Sequence, residues 1–321
     1  MMEPVFLLVI ALFILGIAVP LIGAGKDRRE IRVFSLACTA AASAILAVSG
    51  LAILLWGTTL TVTAWQAFPG IALAFSIDRL AAFFLVLIGT VAACTAVYAT
   101  GYIEHMEGGC RRNVLCGGMG LFILAMALIV ASNNTLSFLL FWELMAAVSF
   151  VLVMYEYDTA GTAKAGIFYF VMTQLSTLFV MLGIILLYLV SGSFAIAPLH
   201  ADAASVPLVT AAFLALFVGF SIKAGIIPFH KWLPYAHPAS PSPISALMSG
   251  VMLKIAIYAL IRILLDVYTP DLATGLLILA FGSASAVLGI IYALKEHDIK
   301  AMLAYSSIEN IGIIFMGIGL F

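Results

Sequence analysis

"FVGFSIKAGIIPFHKWLPYAH" (Phe217 to His237) is the stretch on which the fold turns. It begins as a run apolar enough for a lipid bilayer, and places Lys223 inside that run. Pro228 then interrupts it, and a polar, aromatic segment holding His230 and His237 follows. The rest of the chain decides what a lysine beside a helix breaker is for. Hydrophobic residues make up 65% of the 321 residues and charged residues 9%, whereas soluble domains carry about 25% charge. No soluble core could hide so much apolar surface, and lipid leaves the backbone of an open chain only one way to satisfy itself, the helix. The expectation is an all-α polytopic membrane protein. A net charge of -1 offers no basic footprint, so nucleic acid is excluded as a partner and lipid takes its place.

A hydrocarbon core about 30 Å thick needs roughly 20 apolar residues per helix. On that ruler the chain holds ten spans, at residues 4–24, 33–56, 78–102, 114–132, 134–155, 163–191, 206–229, 242–265, 271–294 and 299–321. "MMEPVF" has no basic leader, so its apolar run is expected as a retained span, not a signal peptide. The basic residues sort by loop. Lys26, Arg28, Arg29, Arg32, Arg111, Arg112, Lys164, Lys231, Lys295 and Lys300 follow odd-numbered spans, and only Arg79 and Arg262 lie on the other side. The positive-inside rule then puts the odd loops in the cytoplasm and the N-terminus outside the inner (plasma) membrane.

Lys223 and Lys254 belong to no loop. With Glu143 in "LLFWELMAA" and Glu309 in "AYSSIENIG" they make four ionisable residues within spans. Each costs about 2.5–3.5 kcal/mol at a helix centre, roughly 10–14 kcal/mol together if all are charged and unaided. A marginally stable fold does not carry that sum, so the four are expected to pair, neutralise or line water. A structural ion pair such as Glu143–Lys223 is one alternative, and snorkelling to the interface another. Lys254 is poorly placed to snorkel, about twelve residues into its span and near 18 Å of helix rise from its start. Charges spread over four helices favour a proton or ion pathway. Pro228 adds to this. It lacks an N–H, so the Ala224 carbonyl is expected to lose its helical partner, and broken helices at membrane depth mark ion sites in transporters.

The remaining polar residues leave two readings open. Thr173, Gln174, Ser176 and Thr177 in span six, with Tyr305, Ser306, Ser307 and Asn310 in span ten, suit either a hydrogen-bonded route or interhelical glue. His230 and His237 suit either proton loading from water or interface anchoring. "HPASPSPISAL" (His237 to Leu247) predicts a turn and a helix start. Cys38, Cys94, Cys110 and Cys116 form no CxxC pair, and no nucleophile–base pair, phosphate loop or metal-ligand cluster stands out. Neither a cofactor nor a metal is therefore expected on this chain.

"FWELM", the long segment from Gly219 to Leu264 and "KEHDIKAMLAYSSIENIG" together resemble the antiporter-like membrane subunits of respiratory complex I and the multisubunit cation/proton antiporters. "HDIKAMLAYSSIENIGIIFMGIG" points to the branch of formate hydrogenlyase and hydrogenase-4 large membrane subunits. The resemblance covers essentially the whole chain. It implies three leading helices over residues 1–113, a first five-helix repeat over 114–265 and the start of an inverted second repeat over 266–321. It places the family's fifth-helix glutamate on Glu143, its broken seventh-helix lysine on Lys223 and its eighth-helix lysine on Lys254. Asn310 stands where many relatives carry a histidine, with Glu309 beside it. The family's second broken helix would lie beyond Phe321, so a fragment, a split gene or a short form is expected.

The function so implied is proton translocation within a membrane-bound hydrogenase or complex I-like assembly. Glu143, Lys223 and Lys254 would carry it, with Glu309, His230 and His237 as further candidates. Redox chemistry would fall to partners, namely other membrane subunits and peripheral hydrogenase and iron–sulfur subunits. The alternatives are a subunit of a sodium/proton antiporter and a structural scaffold without a complete path.

Overall fold

The computed structural model describes residues 2–23, 25, 27–68, 71–106, 108–159, 161–196 and 206–321. Lys26, one of the expected loop cations, lies outside them. Among the described residues ten helical segments are long and apolar enough to cross a membrane. The helices are α1 (Met2–Ile22), α2 (Arg29–Trp56), α3 (Arg79–Tyr102), α4 (Arg111–Ala131), α5 (Thr135–Val153), α6 (Thr162–Ser191), α7 (Val206–Ala224), α8 (Trp232–Ala239), α9 (Ser242–Leu247), α10 (Leu253–Asp266), α11 (Leu272–Lys295) and α12 (Ile299–Leu320). The seventh span is α7 and α8 with a break between them. The eighth is α9 and α10 joined by a π-helical turn, Met248–Met252. Short polar residues start several helices: the side chains of Asp78, Asn134, Asp271 and Asp298 accept from the N–H groups of Ala81, Ser137, Thr274 and Ala301. Each satisfies a backbone donor that the first helical turn leaves over.

The all-α class holds, with one addition. Strands β1 (Leu60–Phe68) and β2 (Ile71–Ile77) pair antiparallel in what read as a plain connection between the second and third spans. The hairpin is tied down at its second strand. Asn133 donates its N–H to the Ala74 carbonyl at 2.9 Å, and the Phe75 ring lies 5.9 Å from both Phe6 and Phe141.

The chain packs as two compact units, Met1–Tyr155 with Pro241–Val251, and Glu156–Ser240 with Met252–Phe321. In the first, α4 is the buried centre. At one end of this unit Arg32 is 3% exposed. Its Nε and Nη2 each donate to the Glu104 carboxylate at 2.8 Å, and Nη1 donates to Asp27. Arg112 donates to the other Asp27 oxygen at 2.7 Å, and Asn113 donates to the Gly23 carbonyl at 3.0 Å. These bonds clamp the α1–α2 turn, the 3-10 turn after α3 and the start of α4. Arg32, expected in a loop, sits instead in the first turn of α2 and is buried there because two carboxylates neutralise it.

In the second unit α11 and α12 run against each other on a glycine seam. Gly275, Gly282 and Gly289 recur every seventh residue, so they share one helix face. A Cβ on Gly282 would stand 2.7 Å from the Met316 nitrogen and 2.8 Å from the Gly312 oxygen. Backbones this close tolerate nothing larger than hydrogen at that point.

Candidate functional site: a broken helix around a buried lysine

The break in the seventh span starts before its proline. α7 ends at Ala224, and Gly225 takes the left-handed conformation at φ 72°. The Ile226 N–H donates to the Ser221 carbonyl at 3.0 Å and the Gly225 N–H to the Ile222 carbonyl at 3.2 Å. This paired pattern with glycine just past the helix is a Schellman termination. Gly225, not Pro228, therefore stops the helix. Pro228 only prevents its resumption, in a cis peptide bond after Ile227. The freed backbone is satisfied from within the second unit. Trp232 donates its indole N–H to the Ile222 carbonyl at 2.8 Å, and the Ile227 N–H finds Ser285 Oγ on α11 at 3.0 Å. An opened backbone at membrane depth persists only with such partners.

Lys223 occupies the last turn of α7 and is 1% exposed. A cation is favoured at that end of a helix, where the carbonyl dipoles point. Its ammonium lies 5.9 Å from the ring centroid of Tyr169 on α6, close enough for a cation–π attraction. Tyr169 is itself wedged. It is fully buried, packs 5.1 Å from Trp232 and donates its hydroxyl to Met252 Sδ at 3.5 Å. One tryptophan thus caps the broken backbone and holds the ring that faces the lysine.

The other candidates fall as follows. His230 lies in the 3-10 turn after the break and is 7% exposed. His237 is on α8 and buried. Lys254 is the second residue of α10, directly after the π-helical turn, and half-buried. Turns of that kind recur at functional positions because they re-aim one side chain without ending the helix. Glu309 is half-buried on α12, with its backbone against Gly289. These four share the second unit with Lys223. Glu143 stands half-buried on α5 in the first unit.

The polar residues of spans six and ten divide. Ser176 donates across to the Gly219 carbonyl of α7 at 2.7 Å, which is interhelical glue. Thr173, Ser307 and Asn310 donate to carbonyls of their own helices. "HPASPSPISAL" gives a turn and a helix start as expected, with proline in the first turn of α9. Sequence reasoning missed Tyr169, Trp232 and Lys300. Lys300, counted as a loop cation, donates to the Ser240 carbonyl just past α8 at 2.8 Å. Only the run "KWLPY" hinted at aromatic packing near the break.

Among the described residues, ten membrane-length helices, one of them broken beside a buried lysine, define a multi-pass membrane protein of the broken-helix type known among transporters,. Comparison with known proteins narrows this. The family model described as "NADH:quinone oxidoreductase/Mrp antiporter, TM" matches residues 132–320, and that described as "NADH-Ubiquinone oxidoreductase (complex I), chain 5 N-terminus" matches residues 65–112. The chain belongs to the NADH:quinone oxidoreductase/Mrp antiporter family of membrane subunits. It is 41% identical over 244 residues to an uncharacterized protein of Mycobacterium tuberculosis, covering 76% of this chain and 37% of that one. To hydrogenase-4 component B of Escherichia coli it is 36% identical over 268 residues, covering 82% of this chain and 39% of that protein. The fold matches a chain in the structure of the Mrp complex from Dietzia sp. with a TM-score of 0.80 at 23% identity, over 97% of this chain and 59% of that chain. The chain thus spans well under half the length of these two curated relatives.

Proposed function

We propose that the chain is a proton-translocating membrane subunit of a hydrogenase or complex I-like assembly. The observation that carries this reading is Lys223, 1% exposed at the end of a helix that breaks within its span. An ammonium so placed costs several kcal/mol unless its surroundings compensate it. Glu143 on α5 is the proposed counter-charge that holds Lys223 protonated. When that pairing weakens, the buried ammonium loses its stabilisation and yields its proton. Lys254 receives it, and Glu309 is a candidate to pass it on. His230 and His237, in the segment after the break, load protons from water. Electron transfer belongs to partners: other membrane subunits and peripheral hydrogenase and iron–sulfur subunits. The division into three leading helices, a five-helix repeat and the start of a second repeat goes with this proposal. So do an inner-membrane location and an N-terminus outside, which rest on the loop charges.

The test is Lys223→Met in the assembled complex reconstituted into proteoliposomes, with proton uptake and redox turnover read separately. Proton uptake is expected to fall to background while redox partners still assemble. Wild-type uptake at wild-type turnover would remove Lys223 from the path. Glu143→Gln is expected to weaken uptake in the same direction. Retention of uptake in both variants would favour a scaffold role, and sodium-dependent uptake without any redox partner would favour an antiporter subunit.

A further inference from the structure

His230 stands in an aromatic cluster that the mechanism above does not explain. Its ring stacks on Tyr292 of α11, with centroids 5.9 Å apart and planes 12° from parallel. Tyr305 of α12 closes the other approach, 6.2 Å from the imidazole and tilted by 51°. The two tyrosines touch each other at 5.4 Å. Inside this cluster His230 is 7% exposed, and the Pro228 carbonyl beside the break is placed to accept from its imidazole.

The two rings differ in their surroundings. Tyr292 is 39% exposed and forms the outer leaf. Tyr305 is half-buried and forms the inner leaf. It sits four residues before Glu309 on α12, one helical turn away and on the same side of the helix. The cluster therefore lies between the exposed surface at Tyr292 and the helix that carries the half-buried Glu309.

We propose that Tyr292 and Tyr305 form an aromatic gate that positions the His230 imidazole and controls its access to water. The two rings are positioning residues for a histidine that loads protons, so the proposal rests on the proton-handling reading of this segment. Ring contact is what the gate requires. The tyrosine hydroxyls are not needed for it, because stacking uses the faces of the rings.

Exchange of histidine C2 protons for deuterium, followed by mass spectrometry of the full-length protein in its membrane complex, tests the gate without any transport measurement. The pH is set on the alkaline plateau, where the exchange rate no longer varies with pH. His105 and His297, both exposed, serve as internal references. Tyr305→Ala and Tyr292→Ala are expected to speed His230 exchange about tenfold, while Tyr305→Phe and Tyr292→Phe stay at the wild-type rate. Wild-type exchange in both alanine variants would overturn the gate. Equal acceleration by alanine and phenylalanine would overturn it too, because it would assign control to the hydroxyls or to general loosening. Should Tyr305→Ala fail to assemble, Tyr292→Ala at the exposed leaf decides alone. Proton uptake by the same variants judges the underlying reading separately: a gate that opens while uptake is insensitive to His230→Ala would keep the gate and sink the loading role.

Discussion

At the scale of single residues, the chemistry centres on how Lys223 is held. The lysine itself was legible in the sequence, because an ammonium inside a twenty-residue apolar run is expensive wherever the chain folds. Its surroundings were not. Tyr169 lies on a different helix, and nothing in its local sequence says that its ring faces an ammonium 5.9 Å away. Tyr169→Phe is expected to keep proton uptake near the wild-type rate, since it retains the ring and loses only the bond to Met252 Sδ. Tyr169→Leu removes the ring and with it an attraction of about 1 kcal/mol, and is expected to lower uptake roughly fivefold. The two uptake rates in proteoliposomes check this. Equal losses in both variants would assign the effect to the hydroxyl. Lys300 teaches the same lesson. It was sorted as a loop cation, and its bond to the Ser240 carbonyl is invisible until α8 and α12 are placed side by side.

At the scale of elements, the breaker and the seam both depend on glycine. Pro228 drew attention in the sequence because it cannot donate a hydrogen bond. Gly225 ends the helix earlier, at a positive φ of 72° that only glycine adopts without strain,. An alanine there would also drive its Cβ into the Leu233 side chain. Gly225→Ala is expected to destabilise the protein by about 2 kcal/mol, read as a lower thermal midpoint in detergent. Gly282→Val should act more strongly, because its side chain would meet the backbone at Met316 and Gly312, and backbone cannot move aside as a flexible side chain can. An unchanged midpoint in Gly282→Val would mean that α11 and α12 do not need the close approach. The seven-residue recurrence of glycine was present in the sequence from the start. It became meaningful only once the facing helix supplied atoms to clash with.

At the scale of the whole molecule, the clamp around Arg32 fixes the first unit at one end. Arg32→Met leaves Glu104 without its two-bond partner and is expected to cost about 2–3 kcal/mol, measured as a shift in thermal or denaturant midpoint. The Asp27 arm carries a pH signature. Its hydrogen bond from Arg112, the largest influence, holds the carboxyl below its ordinary 3.8. A carboxylate whose folded pKa is depressed contributes stability that is fully present above the ordinary value. That contribution is lost as pH falls from 3.8 through the lower folded value, so the clamp is unaffected near neutrality and loosens only in acid. Taken alone, the sequence determined the ten spans, the membrane class and the four costly charges of Glu143, Lys223, Lys254 and Glu309. Those follow from apolar run length and from the price of charge in hydrocarbon, which each segment carries wherever it packs. Tertiary structure decided which ring faces Lys223, which tyrosines cover His230 and that Arg32 is buried. Each of these is a contact between atoms far apart in the chain, and its energy exists only when the helices that bear them meet.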